Sequence, residues 1–183
     1  MNPHLAIEQP QNRDRQEANR PVYLITFVCY GTWLPGQAGA VDRNHNRFGS
    51  RLREADPVEE QRARRRMLQP AYYLDEERRQ IVLEALQQVC SHRQWTLLAA
   101  HVRTNHVHAV LEADKAAEQV MNVFKSYASR ALNQSALDPA ERRRWAHHGS
   151  TRHLWTRDAV TAAVHYVVSE QGEAMAVWEL PSG

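Results

Sequence analysis

The chain has 183 residues, 43% hydrophobic and 24% charged, which suits one globular domain and excludes a fibrous or low-complexity protein. The formal charge of +2 is too small to point to nucleic acid by itself. No run approaches the ~18 apolar residues of a membrane helix, and the start lacks a basic stretch followed by an apolar one, so a cytoplasmic protein with no membrane partner is expected. Cys29 and Cys90 sit in separate apolar segments without metal spacing and read as reduced core residues.

Residues 1–19 are polar and read as a disordered arm before a single domain over 20–183. Pro21 to Tyr30 is nearly continuous in aliphatic, aromatic and β-branched side chains, which predicts a central strand buried on both faces. Gly31-Thr-Trp-Leu-Pro-Gly36 breaks it. Periodicity is then lost over about 34–74, too long for a plain connection, so an insertion is expected, with one short helix around Glu59–Met67. Within it, Trp33 and the run Asp42-Arg43-Asn-His45-Asn-Arg47 are candidates to line a nucleic-acid site. The competing reading is a surface excursion held by its own contacts.

Asp75 is a fair N-cap for a helix reaching about residue 93, with Val82, Ala85, Leu86 and Val89 at helical spacing. Trp95 to Leu111 reads as two short strands joined tightly at Arg103-Thr-Asn105. Ala116 to Gln134 is a second helix with the stripe Val120, Val123, Phe124, Tyr127, Ala128 and Ala131. Arg152 to Thr156 looks like a short strand. Asp158 is placed to cap a third helix with the stripe Val160, Ala163, Val164, Val167 and Val168, ended by Gln171-Gly172. The tail carries Val177, Trp178 and Leu180, enough to dock. This order predicts an α+β fold with a ferredoxin-like β-α-β-β-α-β core, an antiparallel sheet with helices on one face.

Chemistry concentrates at His106 and His108. Two apart on a strand, they point the same way, about 6–7 Å apart along the chain, and can chelate one divalent metal. Val107 and Ala109 then face the core. Glycine loops for phosphates or dinucleotides and a Gly-x-Ser-x-Gly elbow are lacking. Tyr127 lies on the sheet-facing stripe of the helix after the histidine strand, from which its hydroxyl is expected to reach a metal at His106 and His108. A tyrosine on such a stripe is more often a core residue. Arginines cluster at 62–66, 78–79 and 142–144. These are candidates for phosphate contact or a solvated charged face.

Asn105-His106-Val107-His108 after a strand, then Phe124-Lys125-Ser126-Tyr127 in the next helix, resembles the single-tyrosine HUH transposases. These are the small transposases of simple bacterial insertion sequences and their REP-associated relatives. Thr26-Phe in the first strand and Leu154-Trp155 before a helix with Tyr166-Val167 extend the resemblance over roughly 21–170. It implies a DNA transposase that cleaves and rejoins single-stranded or hairpin DNA, with Tyr127 forming a covalent 5′-phosphotyrosine. His106 and His108 would hold Mg²⁺ or Mn²⁺. Lys125, Arg130, Arg142, Arg143 and Arg144, with Arg43 and Arg47, would bind DNA. Monomer or homodimer stays open. The family supplies a glutamine ligand one turn after the tyrosine. Here Ala131 stands there, so Asp42, His45 or water would complete the shell. Two other functions are weighed: a domesticated hairpin-binding module with weak or no cleavage, favoured by Ala131, and a metal-dependent phosphodiesterase using water.

Overall fold

The computed structural model describes residues 20–37 and 54–181. Its elements are β1 (Val22–Cys29), α1 (Pro57–Arg65), α2 (Glu76–Arg93), β2 (Thr96–Val102), β3 (His106–Glu112), α3 (Ala117–Gln134), β4 (Trp145–Leu154), α4 (Arg157–Ser169) and β5 (Ala176–Glu179). The strands form one sheet in the order β4-β1-β3-β2-β5, every pairing antiparallel. Its first four strands with α2 and α3 are the expected β-α-β-β-α-β core. Asp42, Arg43, His45 and Arg47 lie outside the described residues. Among the described residues, no helix is long and apolar enough to cross a membrane.

Strand alternation divides the core in two. Tyr23, Ile25, Phe27 and Cys29 of β1, with Val107, Ala109 and Leu111 of β3, pack against α2 and α3. Val22, Leu24 and Val110 point the other way and pack against Ala163 and Val167 of α4. Both faces are therefore covered, and the expectation of helices on one face holds only for α2 and α3. The sheet is central, so its middle strands have no polar face to mark a solvent side. Val120, Phe124, Ala128 and Leu132 of α3 are fully buried. At about 1.5–3 kcal/mol for each large side chain, this stripe fixes α3 on its layer.

Asp75 caps α2 through Arg78 N. Thr156, not Asp158, caps α4, its Oγ1 accepting from Ala159 N at 3.1 Å. Asp158 lies in the first turn, where its charge suits the helix dipole. β4 begins well before the expected Arg152. Its residues alternate poorly because it is an edge strand whose pairing slips between Phe27 and Cys29 of β1. The irregular stretch is held from α3. Lys125 Nζ donates to the carbonyls of Ala146, His147 and His148 at 2.9, 3.2 and 3.1 Å. Beside it, a Cβ on Gly149 would stand 2.5 Å from both Met121 Sδ and the Thr26 carbonyl, so only glycine permits this approach. The tail docks as β5 on the free edge of β2.

Candidate active site

His106 and His108 fall on the β3 face opposite Val107 and Ala109, under α4. Their ring centroids are 4.7 Å apart. The Asn105 Oδ1 atom accepts from His106 Nδ1 at 2.7 Å. Across the β1–β3 pairing, Thr26 Oγ1 meets His108 Nδ1 at 2.7 Å. Both rings thus use Nδ1 for orientation, and with the Asn105 and Thr26 oxygens accepting, Nε2 is the lone-pair nitrogen.

Burial lowers the His106 pKa to about 4, helped by the positive charge of Arg103. Burial lowers that of His108 to about 3, helped by His106. Both are neutral at pH 7, the form a metal requires. His101, the cross-strand neighbour of His108, is fully buried and has no such nitrogen to offer. Its Nδ1 donates to the Val167 carbonyl at 3.0 Å, and its Nε2 accepts from Met175 N at 3.3 Å. It fastens the end of α4 and the approach to β5 onto the sheet.

The last turn of α4 brings Tyr166 to this face. Its ring centroid lies 5.7 Å from that of His108, and the residue is 39% exposed. Just beyond the helix, the Gln171 side chain lies close enough to both His106 and His108 to oppose slightly the lowering of their pKa values. Its Nε2 also donates to the Tyr166 carbonyl at 3.2 Å. Glu170 turns aside to His165 Nδ1 at 2.9 Å. Among the described residues there is no cluster of three His, Cys, Asp or Glu side chains fit for a metal. Among the described residues, the amide oxygen of Gln171 is the side-chain donor that lies beside the two imidazoles. Two neutral imidazoles with an amide oxygen suit Mn²⁺ well, and Mg²⁺ less well.

Tyr127 does not join this site. It packs against the larger core, on the α2 and α3 side of the sheet, with the Arg130 guanidinium 5.2 Å from its ring centre. The histidines are on the other side, so the sheet separates its hydroxyl from them. The expectation failed because it assigned α3 to the histidine face. Strand parity forbids this: Val107 faces α3, so its neighbours His106 and His108 cannot. The gap at Ala131 disappears with it, since Ala131 also belongs to the α3 layer.

The basic candidates separate likewise. Lys125 is buried on its three carbonyls and cannot bind DNA. Arg144 is only 3% exposed and faces Asp138. Arg142 is spent on Gln69 Oε1 and the carbonyls of Pro70 and Ala71. Arg130 and Arg143 are exposed, over Tyr127 and Tyr30, and Arg130 lies on the face away from the histidines. Sequence reasoning missed Thr26, Tyr166 and Gln171 as site residues. The available signal was the parity of β3 together with a tyrosine, Tyr166, on the apolar-striped helix after β4.

A family model described as transposase IS200 like matches residues 64–171, more than half of the chain. No curated protein matches. Among solved structures, the chain is similar to a REP-associated tyrosine transposase bound to a REP hairpin, at 12% identity and a TM-score of 0.45. The similarity covers 82% of this chain and 66% of that one, just under two thirds of its length. The matched segment contains the histidine strand, α4 and Gln171, and the chain belongs to the IS200-like transposase family.

Proposed function

We propose that this transposase cleaves and rejoins single-stranded or hairpin DNA with Tyr166 as nucleophile. His106, His108 and Gln171 are its metal-holding side chains. The observation that carries the reading is the placement of Tyr166 beside His108, on the face that Tyr127 cannot reach. A half-exposed tyrosine next to two preoriented neutral imidazoles is poorly explained as packing.

The phenol oxygen of Tyr166 attacks a backbone phosphorus. The bond from tyrosine to phosphorus forms as the bond to the 3′-oxygen breaks. The phenolic proton passes to solvent, and the leaving 3′-oxygen takes one up. The 5′-phosphate stays on the protein, and a later 3′-hydroxyl reverses the step, so strands are joined without an external energy source. A divalent ion, when bound, supplies positive charge at the phosphate oxygens. Thr26 and Asn105 keep the imidazoles oriented, and Gln171, bonded to the Tyr166 carbonyl, lies beside both of them. Ala131 no longer argues for an inactive hairpin-binding module, because it lies outside this site.

The test uses a 3′-labelled hairpin oligonucleotide, Mn²⁺ and denaturing electrophoresis. Wild type and Tyr127→Phe should both form a covalent adduct, and Tyr166→Phe should not. An adduct from Tyr166→Phe would assign the nucleophile elsewhere. Cleavage by the wild type without any adduct would instead favour water as nucleophile.

A further inference from the structure

A second feature lies at the other end of α4. Where β1 begins and β4 ends, a cavity of about 590 Å³ is lined by Arg20, Val22, Glu112, Trp155, Arg157 and Val160. This is within the usual size of a small-ligand site. Trp155 is 80% exposed. Its indole is not loose: it stacks on His153, with ring centroids 3.6 Å apart and planes inclined by 26°. His153 in turn lies against Tyr23, at 5.0 Å. The three rings form a column from core to solvent, and the outer face of the column is bare.

We propose that this cavity is a subsite for an unpaired nucleotide of the DNA strand that passes through the active site, with the base stacked on Trp155. The inference rests on the DNA-cleaving reading above and extends it to strand positioning. Every base has a π-face, so a prestacked indole accepts any of them at little cost in side-chain ordering. Arg20 and Arg157 provide guanidiniums for the phosphate. One N–H of Arg20 is used on the Gln94 carbonyl, which anchors that side chain. Glu112 disfavours phosphate on its own side but offers an acceptor to an exocyclic amine.

The Glu112 and Arg157 side of the cavity lies toward the active-site face, whereas the Trp155 column rises from the Tyr23 face at the end of β1 and β4, so a strand reaches both by passing around that end of the sheet. Nine residues of α4 separate Arg157 from Tyr166, about 13 Å of helix. Four residues of β3 separate His108 from Glu112, also about 13 Å. At 3.4 Å per stacked nucleotide this is about four nucleotides, and fewer in a stretched strand.

The test is binding of fluorescent single-stranded oligonucleotides by anisotropy, with one abasic position moved along the strand. In the wild type, one abasic position within about four nucleotides of the cleavage point should weaken binding most. Trp155→Ala should weaken binding of the intact strand about 5- to 100-fold and erase that position's effect. Trp155→Phe should restore much of both. Equal binding by Trp155→Ala and wild type overturns the subsite and leaves the cleavage reading intact. A wild type that binds no oligonucleotide overturns both. If Trp155→Ala instead changes the sedimentation of the protein alone and not its DNA binding, the cavity is a contact between copies and the proposal is wrong.

Discussion

Thr26 Oγ1 stands 2.7 Å from His108 Nδ1, joining the central strand β1 to the histidine strand β3. With the hydroxyl accepting, the imidazole proton is fixed on Nδ1 and the Nε2 lone pair faces α4. A metal-ligating histidine gains basicity and orientation from such a partner.

Thr26→Val keeps the shape of the side chain and removes the acceptor. Mn²⁺ affinity should fall about 10- to 100-fold, by calorimetry, with little change in thermal stability. Gln171→Ala should weaken Mn²⁺ binding as well, while Ala131→Gln should leave it unchanged. Wild-type affinity in Thr26→Val would mean that α4 alone orients His108.

The βαββαβ core was legible because Val22 to Val28 and the α3 stripe carry strong periodic patterns. The site was only half legible. Adjacent residues on a strand face opposite ways, which located His106 and His108 relative to Val107. Which helix covers which face is a property of the connections, and no local pattern encodes it. The stripe of α4 resembles that of α3, and both carry a tyrosine near it. Arg144 illustrates the same limit, since an Arg-Arg-Arg run reads as surface until Asp138, Tyr72 and Arg78 are brought around it.

Acid should act on this site later than on free imidazole. The folded pKa values of about 4 and about 3 for His106 and His108 lie below the ordinary 6.5. Protons therefore should not compete appreciably for the metal until pH falls below about 5. The unfolded chain takes up protons first, so stability from these two groups is complete above about 6.5 and is lost as pH falls toward 4 and 3. Urea midpoints of the metal-free protein should decline across that window. A variant carrying both His106→Asn and His108→Asn should show a flatter profile. Identical slopes would show that other groups set the acid limit.

Lys125 is a fastener and should behave as one. Lys125→Met leaves three β4 carbonyls without their ammonium and should cost about 1–3 kcal/mol. Burial lowers the Lys125 pKa to about 8. The unfolded chain, titrating near 10.5, therefore holds more protons between those values. This group's contribution makes stability rise with pH from about 8 to about 10.5 in the wild type, and that rise should be missing from Lys125→Met. The salt dependence of DNA binding should be the same in both proteins. A reduced slope in the variant would mean that Lys125 reaches phosphate after all.

The arginine run at 142–144 should divide by burial. Asp138 accepts hydrogen bonds from Arg78 Nη2 at 2.8 Å and Tyr72 Oη at 2.6 Å, and forms an ion pair with Arg144 Nε at 3.5 Å without a hydrogen bond. It is the shared counter-charge of two arginines, and hydrogen bonds from Arg78 and Tyr72 hold its carboxyl below the usual range against the opposing effect of burial. Asp138→Asn would keep the shape and remove the charge, leaving Arg144 buried without its counter-ion. Breaking such a buried pair costs about 3–5 kcal/mol, so the urea midpoint should fall sharply. Arg143→Gln changes only an exposed guanidinium and should leave that midpoint within about 0.5 kcal/mol of wild type. If Arg143 contacts DNA, its loss should lower affinity alike for all single-stranded sequences and reduce the salt slope by about 0.7. An unchanged slope would return Arg143 to solvated surface. A stable Asp138→Asn protein would show that the 78–138–144 network holds nothing together.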